Sequence, residues 1–85
     1  MNNKKVTIYS TPSCHFCHAT KEFFKDNKVV YEDHDVAADL ARRQEMFDKS
    51  GQMGVPVITI SDTDGSNEKF VIGFDEPQLS SLLGL

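Results

Sequence analysis

Hydrophobic and polar positions in this chain follow two periods in turn. Lys5 to Tyr9 (KVTIY) is rich in β-branched and aromatic residues and stops at Ser10-Thr11-Pro12, which predicts a first strand. From Cys14 to about Asn27 the period lengthens. Phe16, Ala19, Phe23 and Phe24 fall at helical spacing, predicting a helix that buries these four and leaves Lys21, Glu22 and Lys25 in water. Lys28 to His34 (KVVYEDH) predicts a second strand. Asp35 is placed to cap a helix running to Ser50, with Val36, Ala37, Leu40, Ala41 and Phe47 on its inner face and Gly51 as its terminator.

Val55 to Ile60 (VPVITI) predicts a third strand, with proline at its beginning where a missing donor costs least. Phe70 to Ile72 supplies a fourth, joined to the third as a hairpin across the polar loop SDTDGSNE. A short helix closes the chain: Asp75 and Gln78 have capping-box spacing, and Leu79, Leu82 and Leu83 follow at i, i+3, i+4. The order βαβαββα implies an α/β fold, with the first two strands parallel across a right-handed crossover and the last two antiparallel. It places Cys14 and Cys17 at the carboxyl end of the first strand and the start of the first helix.

Composition narrows the classes. The 85 residues suffice for one domain spanning 1–85, expected to be monomeric. At 39% hydrophobic and 26% charged, the chain reads as soluble and globular rather than membrane-spanning. A formal net charge of −4 without a basic stripe argues against a nucleic-acid partner. The start MNNKKVTIYS carries two lysines, but Thr7 interrupts the short apolar run behind them, so no export signal is read and a reducing cytoplasmic setting is expected.

The stretch STPSCHFCH carries the chemistry, and its spacing admits a reversible disulfide, half of a zinc site, or the anchor of a c-type haem. In the disulfide reading, unpaired amides and the positive end of the helix dipole favour a thiolate on Cys14, the form that attacks disulfides. Cys17, one turn further in, then resolves the mixed disulfide. His15 reads as solvent-facing, and Phe16 as core or as the lip of a cleft.

Three segments, "VTIYSTPSCHFC", "SGQMGVPVITI" and "VIGFDEPQL", together resemble the glutaredoxin family of the thioredoxin fold over nearly the whole chain, in particular its small bacterial dithiol members. The resemblance implies a four-stranded mixed sheet flanked by three helices and a thiol-disulfide oxidoreductase with Cys14 and Cys17 as catalytic pair. It also implies a cis Val55-Pro56 bond facing the cysteines. A substrate or glutathione site follows from it, drawn from Thr11, Phe16, Val55, Pro56, Gly73, Phe74 and Asp75, with the glutathione γ-glutamyl carboxylate at the start of the last helix. No cofactor is expected to be bound permanently. Glutathione is the implied co-substrate, disulfide-containing or glutathionylated proteins the implied substrates, and glutathione or thioredoxin reductase the implied source of electrons. The chain departs from the family's habit at four places: Thr11 stands for a basic residue, Gly54 for threonine, Ile72-Gly73 for a glycine pair, and His15-Phe16 for Pro-Tyr.

Three rival readings remain. Cys14-His15-Phe16-Cys17-His18 satisfies C-x-x-C-H, with Met46 or Met53 as axial haem ligand, although haem attachment belongs to exported chains. Zinc would need Cys14, Cys17, His18 and His34 together, yet the adjacent Cys17 and His18 point apart on a helix. A [2Fe-2S] centre bridging two chains through Cys14 and glutathione competes with the Cys14-Cys17 disulfide.

Overall fold

A run of alternating aliphatic and hydroxyl side chains makes Lys4–Ser10 a strand, β1, and its two faces meet different surroundings. The computed structural model describes residues 4–85. After β1 come α1 (His15–Asp26), β2 (Glu32–Asp35), α2 (Leu40–Ser50), β3 (Val57–Asp62), β4 (Lys69–Ile72) and α3 (Glu76–Leu83). The sheet runs β2-β1-β3-β4, with β2 parallel to β1 and the other two pairings antiparallel. The element order, the parallel first pair and the antiparallel last pair are as predicted; the structure adds the β1-β3 pairing that puts β1 and β3 at the centre.

Register sorts the side chains. Val6 pairs with Ile60 and Ile8 with Ile58, and these four, with Val71, turn to one face, where Phe24 and Val29 from the α1 side and Leu79 of α3 complete the main core. Burying each such aliphatic side chain stabilises the fold by roughly 1.5–3 kcal/mol. On the other face Thr7 pairs with Thr59 and Tyr9 with Val57. Here the apolar cluster is small: Tyr9, Val57, Val36 and the α2 residue Met46, with Val55 against its edge.

Several boundaries and faces differ from the pattern-based expectation. The second strand begins at Glu32, not Lys28, because Asn27 caps α1 and Lys28 takes a positive φ of 56°. The Val29 N–H then donates to the Phe24 carbonyl at 2.8 Å, which spends residues 27–29 on closing the helix. The third strand starts at Val57, after the buried Pro56. In α1 the buried residues are Cys17, Thr20 and Phe24, while Phe16 is 61% exposed. Lys21 does not face open water; its ammonium lies 2.7 Å from the Asp33 carboxylate on β2.

The largest difference is at α2. Asp35 does not cap it; its Oδ1 accepts from the amides of Ala37 and Ala38 and forms a turn, and Asp39 caps the helix by accepting from Arg42 N–H at 3.1 Å. Gly51 ends it at φ 72°, as its lack of a Cβ allows. The face it turns to the sheet is not the expected one. Leu40 is 69% exposed and Phe47 is also exposed, while Arg42, Glu45, Met46 and Lys49, spaced i, i+3, i+4, i+7, turn toward the sheet. The Tyr9 hydroxyl donates to Glu45 at 2.5 Å, and Arg42 pairs with the same carboxylate at 3.0 Å. The inner face of α2 is largely charged, so apolar periodicity pointed the wrong way.

Met46→Ala is expected to cost about 3 kcal/mol in urea unfolding, and Leu40→Ala to stay within about 0.5 kcal/mol, reversing the order that hydrophobicity alone suggests. The bond from Tyr9, aided by Arg42, holds the Glu45 carboxyl below its usual range, while burial and then Glu45 push the Tyr9 phenol up. A carboxylate whose folded pKa is depressed contributes stability that is present above its unfolded pKa and lost as pH falls through the folded one. A raised phenol contributes stability that is lost only in strong alkali. Tyr9→Phe should therefore destabilise by about 1 kcal/mol at neutral pH, and unfolding curves should show the difference shrinking below the carboxylate range.

Candidate active site

The end of β1 is where chain direction and pairing concentrate reactive groups. Tyr9 pairs with Val57, and Val57 pairs with Ile72, so the carboxyl end of β1, the start of β3 and the end of β4 lie side by side. The segments leaving that end carry Cys14, Pro56 and Gly73. Val55-Pro56 is cis, as the resemblance implied. The Gly73 N–H donates to the Pro56 carbonyl at 2.9 Å, and Gly73 takes φ 78°, a left-handed conformation that glycine adopts without strain.

From Ser10 the chain turns through Thr11-Pro12-Ser13, closed by the Cys14 N–H donating to the Thr11 carbonyl at 3.2 Å. Cys14 has extended backbone angles and occupies the N-cap of α1, where its Sγ accepts from the Cys17 N–H at 3.1 Å. A helix N-terminus presents amides without intrahelical partners, and one of them here points at sulfur. Cys14 and Cys17 are joined as a disulfide with Cα atoms 5.2 Å apart. Cys17 is fully buried and Cys14 is half-buried, so solvent reaches the pair through Cys14.

The other predicted residues fall into separate groups. Thr11 belongs to the turn before Cys14. Phe16 stands exposed beside His15, with ring centroids 5.6 Å apart. Val55 and Pro56 join Gly73 through the bond above. Phe74 turns inward against the main core, with its ring 5.8 Å from that of Phe23. Asp75 caps α3, accepting from the Gln78 N–H at 3.1 Å. Both α1 and α3 thus start at the same end of the sheet. The zinc candidates do not converge: His34 lies 3.3 Å from Glu32 on β2, and the His18 ring lies 2.8 Å from the Pro12 carbonyl, which it meets as an N–H donor. Among the described residues no group of three or more His, Cys, Asp or Glu could hold a metal ion.

The family model described as Glutaredoxin matches residues 6–64, more than half of the chain and including the cysteine pair and Val55-Pro56. The chain belongs to the glutaredoxin family. A glutaredoxin-like 8.6 kDa protein in the rubredoxin operon of Clostridium pasteurianum is 40% identical over 78 residues, covering 92% of this chain and 96% of the relative. Glutaredoxin 3 of Escherichia coli K12 is 33% identical over 55 residues, 65% of this chain and 66% of its own. The solved structure of a mutant of the thioredoxin-like protein BC3987 superposes with a TM-score of 0.82 at 35% identity, covering 94% of this chain and 95% of the other. With the fold and the Cys14-Cys17 pair, membership makes this glutaredoxin a thiol-disulfide oxidoreductase.

Pattern reading missed the polar brace under this site. Ser10, 2% exposed, donates from its hydroxyl to Asp33 at 2.7 Å, and the other Asp33 oxygen holds Lys21 of α1. The brace ties the last residue of β1 to its neighbouring strand and to the helix that carries the cysteines. The only trace in the sequence is a serine that ends a strand and an acid inside another, both common in turns. Ser10→Ala should cost about 1 kcal/mol of stability by removing one of the two bonds to Asp33. Thermal unfolding of the disulfide form would measure it.

Proposed function

We propose that this glutaredoxin reduces protein disulfides and glutathione mixed disulfides in the cytoplasm, with Cys14 as nucleophile and Cys17 as resolving thiol. The observation that carries the division of labour is the asymmetry of the pair: Cys14 caps the helix within reach of solvent and accepts an amide hydrogen bond, while Cys17 is wholly buried. The amide and the helix dipole stabilise negative charge on Cys14, which favours the thiolate in the reduced form.

The Cys14 thiolate attacks one sulfur of the substrate disulfide and expels the other as a thiolate, which takes a proton from solvent. Cys17, losing its own proton, attacks Cys14 in the mixed disulfide, releases the second substrate thiol and leaves the Cys14-Cys17 bond. Two electrons restore the dithiol, either from two glutathione molecules that leave as glutathione disulfide or from a reductase dithiol. The site for glutathione draws on Thr11, Phe16, Val55, Pro56, Gly73, Phe74 and Asp75. Support comes from the shared sheet end, the Gly73 bond to Pro56 and the helix N-terminus behind Asp75, a general anion-binding element. With Thr11 in place of a basic residue, a cationic contact to glutathione is missing, which favours thioredoxin reductase as the donor.

An NADPH-coupled assay should show faster turnover with thioredoxin reductase alone than with glutathione and glutathione reductase. Cys14→Ser should abolish activity in both arms. Cys17→Ser should retain reduction of a glutathionylated substrate and lose dithiol reduction. Equal loss of both activities would contradict the assignment of roles.

A further inference from the structure

The sheet face opposite the main core holds a chamber away from the cysteine pair. Thr7 and Thr59, register partners on β1 and β3, are 7% and 4% exposed, and neither hydroxyl meets a hydrogen-bond partner among the described residues. Both line a cavity of about 210 Å³ between the sheet and α2. Buried hydroxyls are rarely left unpaired, so two of them side by side in a polar chamber imply an occupant that bonds them. The space equals that of about seven waters, or of one small organic molecule.

The charges around the chamber identify what kind of molecule. Glu45 is spent on Tyr9 and Arg42, and Lys49 lies 3.7 Å from Glu68. Two charges are left over. Lys5 has no carboxylate partner among the described residues, and Glu32 meets only the His34 ring, at 3.3 Å. They have opposite sign and sit on the adjacent strands β1 and β2. A simple cation would satisfy Glu32 and be repelled by Lys5, and a simple anion the reverse. A molecule bearing both charges satisfies both. We propose that this chamber binds a small zwitterion of amino-acid type, with its carboxylate toward Lys5, its ammonium toward Glu32 and its polar body on the hydroxyls of Thr7 and Thr59.

None of the residues assigned to disulfide exchange lines the chamber. The site can therefore be tested on the oxidised full-length chain without turnover. The probe is L-glutamine in an amide-resolved NMR titration, with inorganic phosphate and 1,4-diaminobutane as ligands of one sign only. L-glutamine should give saturable shifts at Thr7, Thr59 and Ser61, and the other two probes should not. The Thr7→Val/Thr59→Val double variant should raise Kd roughly tenfold or more, the loss of two ordinary hydrogen bonds. Lys5→Gln, at an exposed position, should also weaken binding and carries the test if the double variant misfolds. Saturation by phosphate or the diamine as strong as by L-glutamine would overturn the proposal. So would unchanged affinity in both variants, or no saturable shift at all, which would mean a chamber holding water only.

Discussion

Val57 is hydrogen-bonded into the sheet between Tyr9 and Ile72, and that one register places the chemistry. Three strands end or begin at a common edge, so segments far apart in the chain leave from neighbouring points. The CxxC turn follows β1, the cis proline precedes β3, and Gly73 follows β4, tied back to Pro56 by its amide. A slip of one residue between β1 and β3 would put Val6 and Ile8 on the face opposite Ile58 and Ile60, and a slip between β3 and β4 would turn Val71 away from the main core. Core burial therefore enforces the alignment of the site, and the site needs no separate scaffold.

Within that frame the cysteine pair draws on helix geometry. A residue at an N-cap faces amides that lack partners, and a sulfur in that position takes the place that serine or aspartate fills elsewhere. Asp39 and Asp75 cap α2 and α3 through their carboxylates, and Cys14 caps α1 through sulfur. The same local geometry thus starts two helices structurally and, at the third, presents a reactive atom. Ser10, Asp33 and Lys21 brace this helix against the sheet from beneath.

The sheet is lopsided. One face is packed by α1 and α3 through aliphatic and aromatic side chains, whereas the other meets α2 through Tyr9, Glu45, Arg42 and a small apolar cluster around Met46. Polar contacts of this kind are directional and leave space between elements, which apolar packing would have filled. The chamber over Thr7 and Thr59 follows from it: hydroxyls on a strand, roofed by a helix with a charged inner face.

Local signals in the sequence were enough for the element order, the parallel β1-β2 and antiparallel β3-β4 pairings, the helix-start position of Cys14, and the caps at Gly51 and Asp75. Each of these depends on residues close together in the chain, such as a strand ended by Thr11-Pro12 or a cap three residues before its partner amide. The inner face of α2, the start of β2, the Ser10-Asp33-Lys21 brace and the Thr7-Thr59 chamber were decided only by the tertiary structure. They depend on pairs distant in sequence: Glu45 faces inward because Tyr9 waits across the sheet, and Lys21 leaves solvent because Asp33 stands on the next strand. Hydrophobic periodicity records which residues avoid water, but it carries no information about which charged residue will find a partner once the chain has folded.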